Sequence, residues 1–324
     1  MELDFILAKE KKKTTGKEKL LYDLIIIGGG PAGMTAAVYA ARKRIATLLI
    51  SKDLGGQVLR TSGVENYMGY KYITGEELMS KFKEQITHFP LDQEIGQEVE
   101  SIKKKGNIFH ILTRRNRHFK ARSVIISSGK RYRSLGVQGE KKLIGRGISY
   151  CSVCDGPFFE GKDVAIMGGG NSGFQTALDL TKITSKIYLL DIVSNWRADP
   201  VLVEKVKSNN KVKLFPRHKI NKIQGDNKVD SITIESLDSG QRKKLSVQGV
   251  FIEIGLIPNS EFVESLINLN QAKEIIIDCH NRTNIPGVFA AGDVTNVPEK
   301  QIIIAAGEGA KATLSAYQYL LKSV

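Results

Sequence analysis

The residues with the clearest chemical potential are two cysteines separated by two residues, Cys151 and Cys154, with Asp155 directly after them. A C-x-x-C pair can open and close a disulfide ring, and its neighbours can stabilise one thiolate. Asp155 could pass a proton to or from a leaving thiolate, or it could cap a helix or turn. The spacing favours a redox-active dithiol.

A zinc site is the alternative for the same pair, and it would need two more ligands. Cys279 and His280 are the available candidates, but they lie far along the chain and lack ligand spacing. The chain has only 3 cysteines, which excludes a disulfide scaffold. Redox chemistry is therefore preferred over metal binding.

Two glycine-rich segments share the pattern G-x-G-x-x-G: GGGPAG at 28–33 and GGGNSG at 168–173. In this pattern the first glycine makes a tight turn, the second lets the backbone approach a pyrophosphate, and the third lets helix and strand pack closely. The pattern predicts two dinucleotide sites. Their candidate residues are Gly28, Gly30, Pro31, Ala32 and Gly33 in the first copy, and Gly168, Gly170, Asn171, Ser172 and Gly173 in the second.

Each glycine segment has the surroundings that its chemistry requires. An apolar run suited to a buried parallel strand comes before it, and a helical stretch and a second apolar run follow. The expected elements are strand 22–27, helix 34–44 and strand 46–50 around the first copy, and strand 164–167, helix 174–182 and strand 186–190 around the second. Two strand–turn–helix–strand units predict an α/β fold.

The two copies differ where the second strand ends. Asp191 ends that strand in the second copy, where a carboxylate can accept hydrogen bonds from the ribose 2′- and 3′-hydroxyls and would repel a 2′-phosphate. The first copy ends at Ile50 and Ser51, with no acid until Asp53. Its ribose must be held in another way.

The C-terminal region offers a third cofactor-binding feature. An apolar strand is expected over 283–293, ending in Gly292 and Asp293, whose carboxylate could hold a cofactor hydroxyl. An Ala-rich helix is expected over 301–321. The N-terminus of such a helix would stabilise negative charge on a reduced flavin.

Length and composition set the broad class. The 324 residues suggest two domains, and 41% hydrophobic with 25% charged residues is ordinary for a globular chain. The net charge of +14 comes from scattered basic runs, which favours a solvated surface over nucleic-acid binding. No apolar run reaches the ~18 residues that span a bilayer, and the N-terminus does not resemble a secretory signal. We expect a cytoplasmic protein with no membrane partner.

These motifs together resemble the low-molecular-weight thioredoxin reductases, the class-II group of pyridine nucleotide-disulfide oxidoreductases, and most closely their archaeal members. The resemblance runs from about Tyr22 to Tyr319. The motifs that carry it are GGGPAG, GGQ at 55–57, VENYMG at 64–69, GRGISYCSVCDG at 145–156, GGGNSG, and PGVFAAGDV at 286–294.

The resemblance implies two Rossmann-like three-layer domains, with a nicotinamide domain at 130–257 inserted into an FAD domain at 1–129 and 258–324. Residues 1–20 form an N-terminal extension. Cys151 and Cys154 would be the redox disulfide and Asp155 the proton-transfer acid. Besides the first glycine segment, the implied FAD-binding residues are Gly56, Gln57, Asn66, Gly292, Asp293, Lys300, Gln301 and Ile302.

The implied function is electron transfer from a reduced nicotinamide through FAD and the cysteine pair to a thioredoxin-like or glutaredoxin-like protein, in a homodimer. One segment departs from the NADPH-dependent pattern. Where those members carry His-Arg-Arg, this chain has Asp191, Ile192 and Val193, and only Arg197 remains of the basic group. NADH is therefore expected over NADPH, as in the flavoprotein component of alkyl hydroperoxide reductase.

Other functions fit parts of the sequence. An FAD-dependent dithiol oxidase would keep the cysteine pair, but the second glycine segment and Asp191 argue against it. A disulfide reductase fed by ferredoxin or a reduced deazaflavin is also compatible with the sequence. A basic nucleic-acid-binding protein is disfavoured by the intact CSVCDG.

Overall fold

The computed structural model describes residues 21–61 and 63–322, so the extension expected at 1–20 lies outside the described residues. The helices of the described chain are α1 Pro31–Arg42, α2 Gly75–Thr87, α3 Glu140–Leu143, α4 Ser152–Asp155, α5 Asn171–Thr181, α6 Pro200–Lys207 and α7 Ile302–Lys322. Its strands are β1 Tyr22–Gly29, β2 Thr47–Leu54, β3 Asp92–Ile95, β4 Val99–Lys105, β5 Ile108–Thr113, β6 His118–Ile126, β7 Lys130–Tyr132, β8 Ile148–Ser149, β9 Asp163–Met167, β10 Lys186–Asp191, β11 Val212–Pro216, β12 His218–Gln224, β13 Ser231–Ser236, β14 Arg242–Ser246, β15 Gly249–Ile252, β16 Leu256–Pro258 and β17 Val288–Ala290.

The first unit is built on a sheet of seven strands within the described residues, in the order β3-β2-β1-β6-β5-β4, with β17 also paired to β6. The pairs β2–β3, β1–β2, β1–β6 and β6–β17 are parallel. Helices α1 and α7 cover one face through Ala36, Ala40 and Ala312, whose small side chains allow close packing. The other face is buried under residues that include Phe109 and Val263.

The second unit repeats this plan. Its parallel sheet has the order β11-β10-β9-β15-β8, and helices α5 and α6 pack on one face through Phe174 and Val206. The antiparallel sheet β12-β13-β14 covers the other face through Ile220 and Ile232. Helix layer, parallel sheet and antiparallel sheet make three layers.

The second unit is inserted into the first through a two-stranded ribbon. Strands β7 and β16 pair antiparallel, and Lys130 faces Pro258. The Ser128 hydroxyl donates to the Asn259 carbonyl at 2.6 Å, and the Asn259 amide donates to the Ser128 carbonyl at 2.8 Å. The architecture confirms the predicted α/β class with two Rossmann-like units.

Element boundaries differ from expectation in instructive places. Both fingerprint helices begin about three residues earlier than expected, at Pro31 and Asn171, because the last glycine of each pattern lies inside the first helical turn. A Cβ on Gly33 would lie 1.8 Å from the Gly28 carbonyl oxygen, so only glycine fits this helix–strand approach.

The strand expected over 283–293 is much shorter. Only Val288–Ala290 is a strand, because the chain turns just before it at Gly287, whose φ is +89°. Within the described residues, no helix combines the length and apolar composition that crossing a bilayer requires.

Candidate functional site

The first glycine segment joins β1 to α1 at one wall of a large cavity. Gly30 caps α1 in an extended conformation, and Pro31 occupies the first helical position, where its missing N–H costs nothing. Among the described residues, and apart from its two chain neighbours, nothing lies within 4 Å of the place that a Gly30 Cβ would take. The segment therefore leaves open space in front of a helix N-terminus, as a bound pyrophosphate requires.

The cavity has a volume of about 1510 Å³ and brings together most of the residues expected to hold FAD. From that set it is lined by Gly28, Gly30, Pro31, Ala32, Gly56, Gln57, Gly292, Asp293, Lys300, Gln301 and Ile302. Gly33 is packed behind the wall. Asn66 lies outside the lining and donates its side-chain amide to the Gln301 side chain at 3.1 Å.

The polar groups on this wall fit FAD. The buried Oε1 of Gln57 has no hydrogen-bond partner among the described residues. Burial raises the pKa of Asp293, an effect partly offset by Lys300 and Lys130. A buried carboxyl facing a cavity is well placed to take a ligand hydroxyl. Helix α7 starts at Ile302 on the same wall and directs its N-terminal dipole there.

Lys300 is one of the residues expected to hold FAD, but sequence reasoning missed the charged side chains around it, Lys130, Glu274 and Glu308. Lys130, only 9% exposed, forms an ion pair with Glu274. The Lys300 ammonium donates to the Thr295 carbonyl at 2.7 Å and lies 3.6 Å from Glu274. Glu308, buried on α7, accepts the Gly292 N–H at 2.9 Å. The motif PGVFAAGDV gave no sign of these long-range partners.

The cysteine pair opens on the same cavity. Cys151 and Cys154 form a disulfide with their Cα atoms 5.3 Å apart, and both line the cavity. Cys151 caps the one-turn helix α4, with its Sγ 3.2 Å from the Cys154 N–H. The structure thus places the disulfide and the first glycine segment around one cavity.

Asp155 lies behind the disulfide and is tied to it by Ser149. The Ser149 hydroxyl lies 2.6 Å from Asp155 Oδ2 and accepts the Cys151 N–H at 3.1 Å. Asp155 Oδ1 is buried without a partner among the described residues. Burial raises the pKa of Asp155, and the Ser149 hydrogen bond opposes this only in part.

The capping interpretation of Asp155 does not match this geometry. Asp155 stands at the N-cap of a short 3₁₀ segment, Gly156–Phe159, but its side chain makes no capping hydrogen bond. Its carboxyl is therefore available for proton transfer. Cys279, proposed for the metal alternative, is exposed and carries a free thiol.

The second glycine segment joins β9 to α5, and it too leaves open space at the Gly170 Cβ position. Asp191 at the end of β10 is 2% exposed, and its Oδ2 accepts the Gly169 N–H at 2.5 Å. Arg197 is 68% exposed, and its guanidinium lies 3.3 Å from the same oxygen. The one remaining basic residue therefore already faces a carboxylate.

Most of the second segment does not reach the large cavity. Of its predicted residues only Ser172 lines that space, whereas Gly168, Gly170, Asn171, Gly173, Asp191 and Arg197 do not. Trp196, which sequence reasoning missed, packs edge-on against Phe174 with the ring centres 5.2 Å apart. It also fills the space beside Gly169.

Glu253 is a further buried acid that sequence reasoning missed. It follows β15, lines the large cavity, and accepts hydrogen bonds from the hydroxyls of Ser172 and Thr176, the latter at 3.0 Å. Thr176 also lies 2.9 Å from the hydroxyl of Ser152, inside the C-x-x-C turn. Burial raises the pKa of Glu253, and the two hydroxyls oppose this in part. The sequence signal that could have identified Glu253 is its position directly after the apolar run GVFI.

Comparison with known proteins agrees with this geometry. Residues 22–309 match the model of the family described as pyridine nucleotide-disulphide oxidoreductase. The chain is 39% identical to the F component of alkyl hydroperoxide reductase in Staphylococcus aureus, over 93% of this chain and 60% of the relative. It is 39% identical to NADH dehydrogenase of Bacillus subtilis, over 100% of this chain and 64% of the relative. It thus spans less than two thirds of these curated relatives.

Solved structures match over nearly their whole length. Thioredoxin reductase from Streptococcus pyogenes is 39% identical, with a TM-score of 0.89 over 94% of this chain and 99% of that one. Thioredoxin reductase from Giardia duodenalis is 32% identical, with a TM-score of 0.87 over 94% and 100%. The chain is therefore an oxidoreductase that belongs to the pyridine nucleotide-disulphide oxidoreductase family.

Proposed function

We propose that this chain is a flavin-dependent disulfide reductase that moves electrons from NADH, through FAD and the Cys151–Cys154 disulfide, to a thioredoxin-like or glutaredoxin-like protein. The observation that carries the proposal is the shared cavity. The disulfide, the open space at Gly30 and the buried carboxyl of Asp293 all face it.

FAD would be held by the first glycine segment, Gln57, Asp293 and the start of α7. The chemistry that FAD supplies when bound is two-electron transfer between a nicotinamide and a disulfide. The residues of the cavity wall would position it. Asn66 would act through Gln301, its hydrogen-bond partner.

The cysteine pair carries the second half of the reaction. Breaking the Cys151–Cys154 bond takes two electrons and two protons and gives two thiols. One thiolate then attacks the partner's disulfide to form a mixed disulfide and release one partner thiolate. The second cysteine closes the ring again and releases the partner as a dithiol. Asp155, protonated more readily than an exposed aspartate, would supply and recover one of these protons.

The disulfide and the bound nicotinamide would have to take turns at the flavin. We assign residues 1–129 and 258–324 to the FAD unit, and 130–257 to the nicotinamide unit. In this arrangement the disulfide faces the cavity while most of the second glycine segment does not. A rotation about the β7–β16 ribbon would exchange them, since rigid-body closure about short connections is a common domain motion.

The electron donor is proposed to be NADH. The Asp191 carboxylate would meet a 2′-phosphate with like charge, and Arg197 is directed at that carboxylate. The name of the B. subtilis relative, NADH dehydrogenase, supports the same choice. The names of the matched structures support a thioredoxin-type partner and, through the resemblance, a homodimer.

The test is anaerobic stopped-flow reduction of the purified protein by NADH and by NADPH, followed by addition of oxidised thioredoxin or glutaredoxin. We expect NADH to bleach the flavin band and the redoxin to restore it. Restoration by oxygen alone, with peroxide formation, would favour a dithiol oxidase. Bleaching by neither nucleotide would favour a different donor.

A further inference from the structure

The adenosine end of the FAD site lacks the acid that a dinucleotide fold usually places there. In such folds the ribose lies at the end of the second strand, where a carboxylate accepts its hydroxyls. Here the corresponding residue, 22 positions after the middle glycine, is Ser51 within β2. Its hydroxyl already accepts the Gly29 N–H at 2.8 Å and donates to the Asp53 carbonyl at 2.6 Å.

The neighbouring acids are also engaged. The Asp53 carboxylate accepts the Gly56 N–H at 3.0 Å. The Glu98 carboxylate lies 2.8 Å from the Lys52 ammonium and 3.3 Å from the Arg114 guanidinium. Lys52 holds the pKa of Glu98 below its ordinary value. Two cations therefore compensate both oxygens of Glu98, and one oxygen of Asp53 is already bonded to the backbone.

Gln97 is a buried polar side chain at this end, and its Oε1 has no such partner among the described residues. It follows β3, and its backbone N–H donates to the Ser51 carbonyl at 3.1 Å, which fixes it beside Ser51. The side chain is 7% exposed and lines the cavity. Its Oε1 is buried with no hydrogen-bond partner among the described residues. A buried amide oxygen on a cavity wall that lacks a protein partner is free to accept a hydrogen bond from a ligand.

We propose that Gln97 is the specificity-determining contact for the adenosine half of FAD, and that its amide binds the ribose 2′-hydroxyl in place of the missing acid. This inference rests on the FAD site of the proposed function. A hydroxyl both donates and accepts, and so does an amide, which can present either its oxygen or its nitrogen by turning about its last bond.

The experiment uses the full chain stripped of flavin and measures the Kd of FAD by quenching of flavin fluorescence. Gln97→Leu removes both polar atoms, whereas Gln97→Glu keeps an acceptor for a hydroxyl. We expect about a tenfold weaker Kd for Gln97→Leu and less than about a threefold change for Gln97→Glu. Gln93→Leu is the control, because Gln93 is exposed on β3 and does not line the cavity.

Two further readouts separate ligand contact from folding. The flavin-free Gln97→Leu protein should melt at the same temperature as the flavin-free parent. An FAD analogue with a 2′-deoxyadenosine should bind the parent protein about tenfold more weakly than FAD does. In the Gln97→Leu variant, the analogue and FAD should bind with equal affinity.

Each contrary result has a definite meaning. Equal penalties for the deoxy analogue in both proteins would overturn the ribose assignment. A lower melting temperature of the flavin-free variant that accounts for the lost affinity would show a packing role instead. A parent protein that takes up no FAD would overturn the flavoenzyme proposal itself, which is a different failure.

Discussion

Ser51 and Asp191 do the same structural work in the two dinucleotide-binding units with side chains of different charge. Asp191 ends β10 and Ser51 lies within β2, and each accepts the N–H of the middle glycine 22 residues earlier. The Ser51 hydroxyl accepts from Gly29 at 2.8 Å, and the Asp191 carboxylate accepts from Gly169 at 2.5 Å. A hydroxyl is thus sufficient to hold the glycine turn. The carboxylate of Asp191 holds the turn as well, and its negative charge also acts on the nucleotide bound there.

This relationship gives a clean test of nucleotide choice. We expect NADH to reduce the flavin at least about tenfold more efficiently than NADPH, or roughly 1.4 kcal/mol in the transition state. Asp191→Ser should reduce the preference for NADH over NADPH. The glycine turn should stay folded, because in the first unit the Ser51 hydroxyl accepts the equivalent glycine N–H. Stopped-flow bleaching of the flavin band measures both rates.

The converse change should reverse the preference. Ile192 is 50% exposed, and arginines placed at Ile192 and Val193 in the Asp191→Ser background would offer donors to a 2′-phosphate. A parent protein that uses both nucleotides with equal efficiency would contradict the role given to Asp191.

A methyl group placed in the open space at each glycine segment should weaken binding of one nucleotide and leave binding of the other unchanged. Gly30 and Gly170 both have extended backbones that alanine can adopt, with φ of −77° and −90°. Gly30→Ala should weaken FAD binding by about tenfold or more, because its methyl group would take space meant for a pyrophosphate. Gly170→Ala should weaken nicotinamide nucleotide binding instead and leave FAD in place.

Gly307→Ala is the matched control, since Gly307 on α7 also has no atom within 4 Å of its Cβ position and does not line the cavity. Fluorescence titrations with FAD and with NADH measure the Kd of each nucleotide. Loss of both ligands in both variants would mean that the substitutions disturb folding and not the pyrophosphate sites.

The cysteine pair should be required only for the second half-reaction. Cys151→Ser and Cys154→Ser should each abolish reduction of an oxidised redoxin while reduction of the flavin by NADH continues. The reason is that the disulfide accepts electrons only after the flavin has been reduced. Cys279→Ser is the control, since that thiol is exposed and free. Redoxin turnover that survives in either active-pair variant would refute the assignment.

Asp155→Asn should slow proton-coupled dithiol chemistry by about a hundredfold, in the usual range for a positioned acid. The asparagine keeps the size of the side chain and an acceptor for the Ser149 hydroxyl, but it carries no transferable proton. The step from nicotinamide to flavin should be unchanged. If the only effects were on FAD affinity or melting temperature, Asp155 would be a structural residue.

Glu253→Gln should stabilise the protein at alkaline pH. Burial raises the folded-state pKa of Glu253 above the ordinary value of 4.5. Stability from this group is therefore fully present below the unfolded pKa and is lost as the pH rises through the folded pKa. Glutamine keeps an acceptor for the Ser172 and Thr176 hydroxyls and does not ionise.

The variant should accordingly melt at a higher temperature than the parent at pH 8, with the difference vanishing near pH 4. Glu160→Gln is the control on an exposed side chain. A difference in melting temperature that does not change with pH would show that ionisation of Glu253 plays no part.

The sequence by itself determined the features that depend on residues close along the chain. The glycine segments, the C-x-x-C pair with Asp155, and Asp191 at the end of a strand could all be read there, because a turn, a helix start and a one-turn thiol pair are fixed by a few neighbouring residues. Two such units between strands were sufficient to predict the α/β class, which the structure confirms.

Only the tertiary structure decided which groups meet and how they are charged. It placed Gln97 beside Ser51, Glu253 beside the Ser152 turn, and Arg197 against Asp191. It also put the disulfide on the wall that the first glycine segment shares, although the two are far apart along the chain. The contacts of Gln97 and Glu253 join segments that are far apart along the chain. Burial, which raises the pKa of Asp155 and of Glu253, is a property of the packed molecule and leaves no local pattern in the chain.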